Sequence, residues 1–140
     1  MTTLTIPEGI FEDVLEHCRR GLPNEACGFL AGSAGAVERI YPLDNAAASP
    51  VYYRPDDKQM LASMNDIEDR GLELLAIFHS HVASKPYPSV TDVREAHYPD
   101  TVYLIVGMSD DPPGARGYYI HKTDWRDSEG RIEEIELVLS

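Results

Sequence analysis

Ile10, Phe11, Val14, Leu15 and Cys18 recur at the spacing of one helical face, which predicts an amphipathic helix over 7–20. Pro7 suits its first turn, Thr5 its N-cap, and Gly21 its stop. The apolar run Cys27–Ala31 predicts a buried strand, and alternation over 36–43 predicts the next one. Ser33-Ala34-Gly35 would join the two as a hairpin. Residues 44–55, with Asn45, Ser49, Pro50 and Pro55, have the composition of a loop. Met60, Leu61, Met64 and Ile67 predict a second helix over 56–70, ended by Gly71. A central strand over 72–78 leads to His79, followed by a loop over 82–88 and a short helix over 89–96. Strands over 102–108, 116–121 and 131–139 complete the chain, with a turn at 110–114. The two longer helices are separated by a hairpin and do not alternate with parallel strands. The expected fold is therefore mixed α/β (α+β), one mixed sheet with helices packed on it, and not a doubly wound sheet.

A chain of 140 residues with 43% hydrophobic content is expected to form one domain over 1–140 without needing disulfides. It contains no apolar run of membrane-spanning length, and its start lacks the basic and apolar segments of a signal peptide. A cytoplasmic location is expected. Cys18 and Cys27 form no C-x-x-C pair, which leaves them as thiols and, for Cys27 above all, as small buried hydrophobes. The formal charge of −12 offers no basic footprint for nucleic acid and disfavours acidic lipid surfaces. It is suited to solubility, and to steering a basic protein partner.

The candidate chemistry lies in His79-Ser80-His81 and the residues after it. Two histidines at i and i+2 on a strand point to one face. A carboxylate soon afterwards can supply a third metal ligand, and three protein ligands leave a fourth position open, as catalytic zinc requires. Seven residues separate His81 from Ser89-x-x-Asp92. Ser-x-x-Asp also has the form of a capping box, and the two readings can coexist. Hydrolysis at zinc needs a proton-handling group that is not a ligand. Glu25, at the entrance to an apolar strand, is the candidate, although sequence alone does not place it beside the histidines.

Together, Glu25, His79-x-His81 and Ser89-x-x-Asp92 resemble the JAMM motif of MPN+ metalloproteases. The order of helix, Glu-x-Cys-Gly hairpin, second helix and histidine-bearing strand follows that family along nearly the whole chain. Asn45, Ser49-Pro50 and Tyr53 look like its small single-domain bacterial members, which are similar to sulfur-carrier-processing peptidases. The resemblance implies that His79, His81 and Asp92 bind Zn2+ with a water. It implies that Glu25 accepts the water's proton and delivers it to the leaving amine, while Ser89 helps to stabilise the oxyanion. It also implies a curved mixed sheet flanked by helices, similar to that of cytidine deaminases. Val82 departs from the family, which often has proline there, and this bears on the shape of the loop.

The activity so implied is peptidase or isopeptidase cleavage of an amide bond at the C-terminal tail of a ubiquitin-like sulfur-carrier protein, with release of cysteine as one form. An extended Gly-Gly tail can pair with main chain, and only glycine passes close to the metal. Two alternatives are a non-catalytic MPN scaffold and a zinc hydrolase acting on a small molecule. Deaminase chemistry would need cysteine ligands, and a C-x-x-C is absent. His17, His97, His121 and Trp125 are expected to serve packing or surface roles, and Ser84 and Tyr87 to serve the loop.

A salt-rich cytoplasm would also select so acidic a surface. If it did, the folded fraction measured by circular dichroism rises between low and molar salt. An unchanged fraction removes that explanation.

Overall fold

The computed structural model describes residues 3–140. In chain order the elements are β1 (Thr3–Ile6), α1 (Glu8–Gly21), β2 (Cys27–Ser33), β3 (Ala36–Leu43) and α2 (Asp57–Asp69). They continue with β4 (Glu73–His81), α3 (Val90–Arg94), β5 (Val102–Gly107), β6 (Gly114–His121) and β7 (Arg131–Leu139). The strands pair in the order β1-β3-β2-β4-β5-β6-β7, and β7 pairs with β1 to close the sheet. β1 runs parallel to both its neighbours and β4 parallel to β5; the other pairs are antiparallel. The expected mixed α+β class is the one observed.

Several local expectations change. Thr5 is not a helix cap: it lies in β1, where it pairs with Val138 of β7, and Pro7 occupies the N-cap without a side-chain cap bond. A four-residue strand is too short to leave a periodic signal of its own. Leu61 is 64% exposed, so the apolar stripe of α2 is narrower than its sequence suggests. β4 extends beyond Phe78 and carries both histidines, as their i, i+2 reading on a strand expected, because β5 pairs with it as far as His81. α3 is shorter than expected, with Ser89 as its N-cap and Glu95 as its C-cap. The hairpin turn is built on Ala34 and Gly35, both with positive φ, as a tight two-residue loop between twisted strands requires.

Two cores cover the two faces of the sheet. One gathers residues from all seven strands, among them Leu4, Leu30, Val37, Phe78, Leu104, Tyr119 and Ile135, around Val14, Leu15 and Cys18 of α1. The other sets Phe29, Ile77 and Tyr103 against Ile67 of α2 and Val93 of α3. A bulge decides which β4 residues face which core. Leu30 lies opposite Ala76 and Ala31 opposite Leu74, so Leu75 is the extra residue. Leu75, Ala76 and Phe78 join the first core, and Ile77 joins the second. Alternation then turns His79 and His81 to the α2–α3 side and Ser80 to the α1 side.

Gly28 sits opposite Phe78, whose ring covers its backbone. A Cβ there would press into that ring and lie 2.7 Å from the Tyr41 carbonyl oxygen. Gly28→Ala is expected to lower stability by about 1–3 kcal/mol through overpacking. A shift of the urea midpoint at constant slope checks this, and an unchanged midpoint contradicts it.

Candidate metal centre

His79 and His81 end β4 on one face, and Asp92 comes from the first turn of α3. The Nε2 atoms of the two histidines lie 3.1 Å apart. Asp92 Oδ2 lies 3.2 Å from His79 Nε2 and 3.0 Å from His81 Nε2. Three donors at zinc–ligand distances of about 2.0–2.1 Å in tetrahedral geometry stand roughly 3.3 Å from one another. The observed triangle is close to that size. Among the described residues, this is the one group of three His, Cys, Asp or Glu side chains drawn together closely enough to share an ion.

The donor set is also aimed. His81 Nδ1–H donates to the Lys85 carbonyl at 2.6 Å, which fixes the ring with Nε2 turned toward Asp92, the nitrogen that would face a metal once its proton is lost. The loop that supplies this carbonyl is pinned in turn, since Tyr118 donates its hydroxyl proton to the Pro86 carbonyl at 2.7 Å. With Val82 in place of proline, these bonds define the loop between His81 and Ser89.

Ser89 and Asp92 form a complete capping box. Ser89 Oγ accepts from the Asp92 amide at 3.0 Å, and Asp92 Oδ2 accepts from the Ser89 amide at 2.9 Å. The same Oδ2 faces both histidines, so the cap and the metal-facing carboxylate are one device. Burial alone would raise the Asp92 pKa. Hydrogen bonds from His79, His81 and the Ser89 amide outweigh it and hold the carboxyl well below the usual carboxylate range. For His81, burial works toward a lower pKa, but its bonds to Asp92 and the Lys85 carbonyl raise it.

Glu25 reaches the site through strand register. Cys27 pairs with His79, so two residues further back brings Glu25 level with His81. It is only 6% exposed. Burial pushes its carboxyl up to about 7, with His81 lowering and Asp92 raising the value from nearby. Its main chain is tied on both sides: its amide donates to the Ser49 carbonyl at 2.9 Å, and its carbonyl accepts from Asn45 Nδ2 at 2.9 Å. All five residues proposed from the sequence therefore fall in one place.

Two contributors carried no such signal. Ser80 lies on the opposite face to the histidines, buried, and its Oγ accepts from the Ala26 amide at 2.8 Å while its own amide donates to the Ala26 carbonyl at 3.0 Å. It fastens the strand that carries Glu25 to the strand that carries the ligands. Tyr53 stacks on His79, with ring centroids 4.4 Å apart and planes 19° apart. The sequence marks Tyr53 only as part of the family resemblance, and the stack itself appears only in the fold. Cys27 is fully buried, and burial, with Asp44 adding to it, pushes its thiol up to about 12, so it packs beneath the site as a neutral side chain. His17 bridges the Cys27 and Leu43 carbonyls, His97 meets the edge of Trp125, and His121 pairs with Glu133, all in packing or surface roles.

A profile of prokaryotic homologs of the JAB domain matches residues 7–121. The chain belongs to that family, as a small prokaryotic member of the JAMM/MPN+ group that its residue pattern resembles. It is similar to the CysO-cysteine peptidase of Mycobacterium tuberculosis, with 40% identity over 109 residues that make up 76% of this chain and 75% of that protein. It is also similar to the desampylase of Haloferax volcanii, with 39% identity over 101 residues, or 67% of this chain and 73% of that protein. The solution structure of a Desulfitobacterium hafniense protein aligns with a TM-score of 0.83 at 34% identity, covering 98% of this chain and 92% of that one.

A carboxyl held near 7 in the fold has a stability signature. As pH rises from the usual glutamate range toward 7, the unfolded chain releases this proton before the folded chain does. The folded state then binds more protons, and stability falls across that window by roughly 2–3 kcal/mol. Urea unfolding of the chelated protein at pH 5 and pH 7.5 is expected to show this loss in the wild type and not in Glu25→Gln. Parallel pH dependences would exclude it.

Proposed function

We propose that this chain hydrolyses an amide bond at the C-terminal tail of a ubiquitin-like sulfur-carrier or small modifier protein. The chain is a zinc-dependent peptidase of the JAMM type. The observation that carries the reading is the convergence of two imidazole Nε2 atoms and one carboxylate oxygen on a common point, beside the buried carboxyl of Glu25.

His79, His81 and Asp92 would hold zinc, and Ser89 and Glu25 would perform the accompanying polar work. When bound, zinc supplies Lewis acidity to a carbonyl oxygen and makes water acidic enough to be a nucleophile at neutral pH. Glu25 accepts a proton from the attacking water and returns it to the leaving amine. A carboxyl with a pKa of about 7 is near the optimum for doing both at physiological pH. Ser89 Oγ already accepts from the Asp92 amide, so its hydroxyl proton is left to donate toward an oxyanion. Asp92 stays ionised throughout, because its carboxylate would serve as a metal ligand and also accepts from the Ser89 amide.

A tail substrate agrees with the names of the relatives, one a peptidase for a CysO–cysteine adduct and another a desampylase. An extended glycine tail suits such a site because it carries no side chain past the metal.

Incubation with a sulfur carrier bearing cysteine on its C-terminal glycine is expected to release cysteine with zinc present, detected by mass spectrometry. Chelation should stop the release, and Glu25→Gln should reduce kcat by about 10²–10⁴. Absence of chelator-sensitive release sinks the carrier assignment. Full activity of Glu25→Gln would remove the assigned base.

A further inference from the structure

The two histidines are oriented by different means. His81 is fixed by a hydrogen bond from Nδ1–H to the Lys85 carbonyl, at 2.6 Å. His79 has no counterpart: its Nδ1 is buried and has no hydrogen-bond partner, and the whole residue is inaccessible. Imidazoles that bind metal ordinarily give their second N–H to an acceptor, which sets the ring plane and the tautomer. Something else must set the plane of His79. Among the described residues, the only ring lying flat against it is Tyr53, with centroids 4.4 Å and planes 19° apart, since His81 meets it at 60°.

Tyr53 is itself held from both sides. Asn45 Nδ2 donates to the Tyr52 carbonyl at 2.9 Å, and Asn45 Oδ1 accepts from the Arg54 amide at 3.0 Å. The Ala46 amide donates to the Arg54 carbonyl at 2.7 Å, and Asn45 pairs with Pro55 across the segment. Tyr53 also packs, with Met60, against the core that contains Ile77 and Tyr103. The residue is thus a clamped plate and not a mobile loop side chain.

We propose that Tyr53 is a positioning residue for the metal centre, and that its ring face does for His79 what the Lys85 carbonyl does for His81. The inference rests on His79 being a zinc ligand, as assigned above. The contribution lies in the ring and not in the hydroxyl, which makes no hydrogen bond to His79. Asn45 holds the Tyr52–Arg54 main chain and the Glu25 carbonyl together. One side chain therefore links the support of a ligand to the support of the base.

The test measures zinc affinity by competition with a chelating dye, and the d–d spectrum of the cobalt-substituted protein, for wild type, Tyr53→Leu and Tyr53→Phe. Leucine is expected to weaken zinc binding by about tenfold or more and to alter the cobalt spectrum. Phenylalanine is expected to restore both. Melting of the chelated proteins separates loss of fold from loss of ligand orientation, and Tyr53→Met replaces Tyr53→Leu if that variant does not fold. Equal zinc affinity and an unchanged cobalt spectrum in the non-aromatic variant overturn the proposal alone. A phenylalanine variant as weak as leucine overturns it by placing the effect on the hydroxyl. A wild-type chain that takes up no zinc overturns the metal assignment, and this inference with it.

Discussion

The pairing of β2 with β4 is the constraint on which the site depends. Cys27 stands opposite His79, and from that one register pair Glu25 comes level with His81. A slip of one residue would exchange the two faces of β4, turning Ser80 toward α3 and both histidines into the α1 core. Packing and hydrogen bonding both oppose the slip. Phe78 covers Gly28, where no side chain would fit, and Ser80 bonds the Ala26 main chain through both its hydroxyl and its amide. The bulge at Leu75 supplies the phase that these contacts then lock.

Within that frame, two neighbouring carboxyls have opposite fates for a physical reason. Asp92 is buried yet strongly acidic, because imidazole groups and a backbone amide surround its oxygen with donors. Glu25 is buried without such donors and keeps its proton to about 7. Separation of two acids by environment is how one site obtains both a permanent anion and a proton carrier. The arrangement opposes folding in one place and supports it in another. Glu25 destabilises the fold as pH rises toward 7, whereas Asp92 contributes stability that is present above the usual carboxylate range and lost as pH falls through its depressed value.

Much of the chain's pattern already pointed to this arrangement. The helical stripes of α1 and α2, the apolar runs of β2, β4 and β5, and the hairpin at Ala34-Gly35 are local signals, and they produced the expected elements. The site residues were legible because metal ligation fixes residue type and spacing tightly enough to stand out. β1 was not legible, since four residues carry no period, and Thr5 so close to Pro7 resembled a cap. Leu61 was misplaced because an apolar residue on a helix marks a face only if the sheet reaches it.

Sequence by itself determined which groups would do the chemistry: two imidazoles in phase on a strand, a capping-box aspartate, and a glutamate at a strand entrance. Tertiary structure decided the rest. It brought Glu25 to His81 across 56 positions of chain, gave the two carboxyls different pKa values, and set Tyr53 against a ring that has no hydrogen-bond partner. These features depend on distance and on what is removed from water, and neither is encoded in the spacing of residues along the chain.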